Sequence, residues 1–109
     1  MKAVLGQSNP LATTATDIYT VPAGREATIS TITICNQAAA AATFRIAVRK
    51  AGAALAAAQY VAYDIQVGAN DTLALTLGVT MTATDVLTVY GSTATLSFNV
   101  FGAEVPITA

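Results

Sequence analysis

Few side chains in this 109-residue chain could do chemistry, and the partners they would need are mostly missing. There is no His, which removes the commonest general base. With Cys35 as the only cysteine, no disulfide within the chain can form and a zinc site is excluded. Ser and Thr hydroxyls are plentiful, yet no neighbouring base would activate one as a nucleophile. Asp17, Asp64, Asp71 and Asp85 carry oxygens that calcium could use, but they lack the spacing of a calcium loop. Asp71 and Asp85 stand where turns begin, and capping of local backbone is their ordinary role. A glycosidase needs two carboxylates facing each other across a sugar, and the sequence singles out no such pair. The glycines fall singly, so no loop cradles a phosphate. The expectation is a chain with no catalytic, cofactor-binding or metal-binding residue, and not an enzyme.

Binding chemistry is nearly as sparse. Tyr60, Tyr63 and Tyr90 could form a patch on which carbohydrate stacks, although Tyr also suits the ordinary packing of half-buried strands. Charged residues make up 10% of the chain, against about a quarter in a typical soluble domain. Five Lys and Arg against six Asp and Glu leave a formal net charge of −1, too little basic charge to track phosphates, so nucleic acid is not an expected partner. The longest small apolar tract, Ala51–Ala58, falls far short of the roughly 20 residues that span a membrane. The start, Met1-Lys2-Ala3-Val4-Leu5-Gly6, lacks the apolar run of a signal peptide, so a protein made and used without Sec export is expected. Asn70-Asp71-Thr72 matches the glycosylation triplet, and without an export signal the match is read as chance.

The elements that must position these residues read as strands. The chain is organised around Val21–Asn36. Pro22 sets φ for the second position of a type I turn over Val21–Gly24, and β-branched residues from Thr28 to Ile34 then favour a pleated strand that Asn36 closes. Ile32 and Ile34 share one face while Ile29 falls on the other, so either both faces are partly covered or a bulge near Ser30-Thr31 shifts the register. Cys35 reads as a small buried hydrophobe on this strand.

Before it, Lys2–Gln7 is a strand candidate ended by the Ser8-Asn9-Pro10 turn, and Leu11–Thr16 is a loop or an edge. Asp17–Val21 has Ile18 and Val21 at the wrong parity for one flat face, which suggests a kink. After the central strand, Ala38–Ala42 is a short connection, being too few residues for a stable helix. Thr43–Lys50 alternates cleanly, with Phe44, Ile46 and Val48 on one face and Arg45 and Arg49 on the other. Lys50–Ala58 is a long connection; Ala53–Gln59 favours helix by composition but reaches one or two turns at most.

Tyr60–Val67 alternates again, with Val61, Tyr63, Ile65 and Val67 expected inward and Asp64 and Gln66 outward. Gly68–Asp71 is a turn, Leu73, Leu75 and Leu77 mark a strand, and Val79–Thr84 is a connection. Asp85 opens Val86–Tyr90, Gly91-Ser92 turns, and Ala94–Phe101 is the last strand, followed by the tail Glu104–Ala109. The expected core is Phe44, Ile46, Val48, Ile65, Leu75, Leu96, Phe98 and Val100. Seven to eight short strands at regular spacing, with no convincing helix, predict one all-β domain over residues 1–109. Its architecture would be an antiparallel sandwich, jelly-roll or immunoglobulin-like, with a short N-terminal arm and a C-terminal tail.

The chain resembles the small β-sandwich structural proteins of tailed-bacteriophage virions. The resemblance is carried by Tyr19-Thr20-Val21-Pro22-Ala23-Gly24, Ile32-Thr33-Ile34-Cys35-Asn36, Thr43-Phe44-Arg45-Ile46-Ala47-Val48 and Tyr60-Val61-Ala62-Tyr63-Asp64. It continues in Asp85-Val86-Leu87-Thr88-Val89-Tyr90 and Ser97-Phe98-Asn99-Val100-Phe101-Gly102 and covers most of residues 15–105. It implies a virion protein assembled in the host cytoplasm: a capsid decoration (cement) protein on the head lattice, partnered by itself as a homo-oligomer (a trimer) and by the major capsid protein. The alternative it implies is a tail, baseplate or fibre component that recognises host glycan. It supplies no catalytic residues to carry over.

One point agrees independently. Outward strand positions are mostly Thr, Ala and Ser, where a free monomer would carry Lys and Glu. Strand edges hold almost no Lys or Pro, so a single subunit would expose them and a closed ring would cover them. An Ala-rich composition inherited from a GC-rich genome would produce a similar surface.

Overall fold

The β-branched run predicts a central strand, and β3 (Arg25–Asn36) is that strand in the computed structural model, which describes residues 2–76 and 78–107. It pairs with β9 (Leu96–Pro106) along its whole length, and on its other side with β6 (Thr72–Leu75) and β7 (Val79–Thr82). β1 (Lys2–Ser8) lies outside β9, giving a sheet in the order β1-β9-β3-β6/β7. The second sheet runs β2-β8-β4-β5, from Thr16–Thr20, Val86–Gly91, Ala42–Arg49 and Tyr60–Val67. All strand pairings are antiparallel.

This order is a jelly roll, eight strands if β6, which ends at Leu75, and β7, which starts at Val79, are taken as two parts of one edge. About 62% of the described residues are strand and 6% helix, and the two sheets pack as one compact domain. The all-β antiparallel sandwich expected from the sequence is therefore the fold, with nine strands among the described residues where seven to eight were expected.

Between the sheets lie Ile29, Ile32 and Ile34 of β3, Leu96, Phe98 and Val100 of β9, Phe44 and Ile46 of β4, and Leu87 and Val89 of β8, all fully buried. Phe44 and Phe98 meet edge to face at 6.2 Å between ring centres, which bridges the two sheets. A bulge decides the parity question in β3. Ile29 opposes Gly102 and Thr31 opposes Phe101, so Ser30 is the extra residue and the inward set continues from Ile29 to Ile32.

Loops gather at the two ends, as the winding requires. At one end Asn36, 1% exposed, donates its amide to the carbonyls of Ala40, Val67 and Gly68, and its Oδ1 accepts from the Ala38 N–H and the Thr95 hydroxyl. At the other, the Asp85 carboxylate accepts the N–H groups of Ala51 and Thr82.

Several local expectations need correction. The hydrogen-bonded turn before β3 is one residue later, Pro22–Arg25, because Gly24 has φ +77° and takes the position that demands a positive φ. Val79–Thr82 is a strand, paired to Glu26–Ile29, since its short alternation buries Met81. β9 continues through Pro106, so only the end of the expected tail lies beyond it, and Thr108 and Ala109 fall outside the described residues. Leu77 also lies outside them. Cys35 is half-buried, because it follows Ile34 and alternates to the outer face. Lys50–Ala58 is a connection containing the short 3-10 turn Lys50–Gly52, and a second such turn, Ala57–Gln59, leads into β5.

The largest departure is β5. Val61 and Tyr63 point out, 44% and 55% exposed, and Ile65 remains 36% exposed at the rim although it pairs with the buried Phe44. Ala62 and Val67 are the buried residues of this strand. Val48 and Leu75, also expected in the core, are half-buried and pack against it.

All four outer edges are interrupted. β1 carries an extra residue at Leu5 and β2 one at Ile18, which is the kink anticipated in Asp17–Val21. β5 has extra residues at Val61 and at Tyr63-Asp64, and the β6/β7 edge is broken. Bulges interrupt edges that carry almost no Lys or Pro, a second way of discouraging addition of a strand.

Candidate functional site

β4 alternates, so Phe44 and Ile46 turn inward and Arg45 between them turns outward. Its neighbour on β8 is Tyr90, directly across the ladder. On the other side, β5 sets two residues, Tyr63 and Asp64, against this one position. Asp64 sits there with φ +51°, a left-handed conformation that Asp tolerates better than bulkier residues. The bulge thus aims a ring and a carboxylate at the same guanidinium.

Arg45 Nε donates to Asp64 Oδ1 at 2.6 Å and Nη2 donates to Oδ2 at 3.3 Å, a two-point pair. The guanidinium carbon lies 4.1 Å from the Tyr63 ring centre and 4.4 Å from that of Tyr90, stacking the cation against both. The hydrogen bond to Asp64 raises the Arg45 pKa further above its already high ordinary value, so it stays charged at any accessible pH. Tyr60 meets Tyr63 edge to face at 4.9 Å. Beside these rings, Leu55, Ala56 and Ala57 form the wall of an open cleft shared with Tyr60 and Tyr63. Gln59 holds that segment in shape, accepting from the Ala56 N–H and donating to the Ala54 carbonyl.

The three tyrosines named from the sequence are therefore brought together, Tyr63 and Tyr90 against Arg45, which the sequence reading did not join to them, and Tyr60 against Tyr63. The aspartates considered as calcium ligands are kept apart in separate roles. Asp17 pairs with Arg49 at 2.8 Å and accepts the Thr88 hydroxyl, while Arg49 also donates to Thr88 and to the carbonyls of Gly52 and Ala53. Asp64 belongs to Arg45, Asp71 caps the Thr72 N–H, and Asp85 caps the two N–H groups named above. Among the described residues no group of three or more His, Cys, Asp or Glu could hold a metal ion.

A further cluster lies at one end of the sandwich. The Tyr19 hydroxyl donates to Glu104, whose other oxygen is 3.9 Å from Arg25. Burial, then the hydrogen bond to Glu104, pushes the Tyr19 pKa well above the usual phenol value. No protein-family model, curated protein or solved structure matches the chain.

Proposed function

We propose that the chain is a non-enzymatic structural component of a bacteriophage virion, a capsid decoration (cement) protein that joins the head lattice as a homo-oligomer. The observation that carries this reading is the outer face of the β1-β9-β3-β6/β7 sheet. Thr28, Thr31 and Thr33 of β3 and Ser97, Asn99, Phe101 and Ala103 of β9 alternate with the buried core residues and none is charged; Glu26, at the end of β3, is the charged residue on this face of β3 and β9. Small neutral side chains let another backbone approach closely and leave little repulsion between copies. A surface kept in water would be expected to carry Lys and Glu at such positions. Because the strand edges are interrupted, contact through this face is favoured over addition of a strand. Jelly rolls serve as capsid domains and as lectins, an analogy of fold and no more. Peptide mass spectrometry of gradient-purified particles, from cells whose phage genome encodes this chain, tests the reading. The chain should be present in fixed proportion to the major capsid protein, and particles without it would sink the proposal.

The second reading is a tail, baseplate or fibre component that recognises host glycan. It is favoured by a different observation, the exposed Tyr60–Tyr63 pair and the Arg45–Asp64 ion pair on the outer face of the opposite sheet.

A further inference from the structure

We propose that the cleft between Tyr60, Tyr63 and the Leu55–Ala57 segment binds a neutral sugar unit of a polysaccharide, with the pyranose ring stacked against the phenol rings. The inference rests on the glycan-recognition reading of this surface and assigns its residues and the class of its ligand.

Tyr63 is 55% exposed, yet Arg45 and Tyr60 hold it at 4.1 and 4.9 Å. A large ring that is open to solvent but already fixed loses little freedom when something stacks on it. Charge selects the kind of ligand. Arg45 is satisfied at two points by Asp64 and stacked against Tyr63 and Tyr90, so the cluster is neutral as a unit and its cation is already paired. An anionic ligand would have to compete with Asp64 for it.

Hydrogen-bonding capacity narrows the choice further. Among the described residues, the hydroxyls of Tyr60 and Tyr63 have no partner within the protein, so the apolar faces of the cleft are bordered by groups that can both donate and accept. A pyranose ring offers the matching alternation, a C–H face with hydroxyls around its rim. A strand, whether from another protein or from a second copy, fits less well. The extra residues at Val61 and Tyr63-Asp64 interrupt the β5 ladder that it would need to extend.

The test uses the full chain and three neutral probes: cellohexaose, maltoheptaose and chitohexaose. The chain has no Trp, and Tyr19 is buried elsewhere, so tyrosine emission reports on this cluster, and amide shifts locate the contact. At least one probe should bind saturably, with shifts centred on residues 55–65 and on Tyr90. Tyr63→Ala should weaken binding about tenfold or more, and Tyr63→Phe should keep most of it. Since Tyr63→Ala also uncovers Arg45, Ala57→Arg is the second variant. It fills the cleft from an exposed turn without altering a ring, and it should weaken binding at least as much. Failure of all three probes, or binding that survives both variants, overturns the inference. So does a change of oligomeric state in either variant by light scattering, which would assign the surface to a second copy. A chain that is found in purified particles but binds no probe overturns this site alone and leaves the structural role standing.

Discussion

The hydroxyl of Tyr19 donates a 2.6 Å hydrogen bond to Oε2 of Glu104, tying β2 in one sheet to β9 in the other. Arg25, at the start of β3, approaches the same carboxylate from the other side. This closes one end of the sandwich with polar groups where the apolar core stops. Tyr19→Phe should cost about 1–2 kcal/mol at neutral pH by denaturant titration, the range for a hydrogen bond to a partly exposed charged group.

The same bond has a pH signature. The folded-state pKa of Tyr19 is raised, so its contribution is fully present below the unfolded phenol pKa of about 10 and is lost as pH rises above it. The stability gap between the native chain and Tyr19→Phe should narrow from pH ~9 to pH ~11. A gap that stays constant over that range would mean the phenol is not held protonated by the fold.

Asn36 makes a sharper case, because one buried amide serves three carbonyls and accepts from two donors. Asn36→Ala should destabilise by roughly 2–4 kcal/mol, since the groups it leaves behind lose partners. Asn36→Asp should be at least as damaging, because a carboxylate cannot donate and would face three carbonyl oxygens. Equal stability of the Asp variant and the native chain would show that the amide nitrogen is not the group that matters.

Much of the fold was legible because β4 alternates cleanly and β3 carries a long β-branched run. The bulge at Ser30 was legible as one of two explanations of a parity conflict between Ile29 and Ile32. β5 was misread for the opposite reason. Its alternation, Val61, Tyr63, Ile65 and Val67, looks regular, but the two bulges each change parity and turn Val61 and Tyr63 out. An edge strand of four residues such as β7 alternates too briefly to separate from a loop. At the candidate site, the tyrosines could be grouped by residue type alone. Their link through Arg45 could not, because an ion pair across a bulge leaves no fixed spacing. Tyr19 and Glu104, 85 residues apart, left no local pattern at all.

Close backbone approach gives another test. A Cβ at Gly102 would stand 2.1 Å from the Thr28 carbonyl oxygen and 3.1 Å from Ile29 Cα, both main-chain atoms of β3. Gly102→Ala should therefore cost about 3 kcal/mol, at the upper end for overpacking, since main chain yields less easily than side chain. Gly68→Ala is the control. Its Cβ would meet only Asp71 side-chain atoms at 3.6–3.7 Å, an ordinary contact, and stability should change by less than ~1 kcal/mol. Similar losses in the two variants would contradict the β3–β9 packing described here.

Phe98 is fully buried and packs edge to face on Phe44 of the opposite sheet. Phe98→Ala should cost roughly 3–5 kcal/mol, from lost burial and the cavity left between the sheets. A loss below about 1 kcal/mol on urea titration would place Phe98 outside the core.

The central proposal is that this jelly roll is a virion structural protein seated through the outer face of its β1-β9-β3-β6/β7 sheet, whose middle carries no charge and whose end carries Glu26. An electron cryomicroscopy map of the particle encoded with this chain tests it most directly. The predicted result is two-sheet density at symmetry points of the head lattice, with Thr28, Thr33 and Phe101 against a neighbouring subunit and Tyr63 turned to solvent. Density with that face bare to solvent, or a fully assigned particle with no place for this chain, would contradict the account.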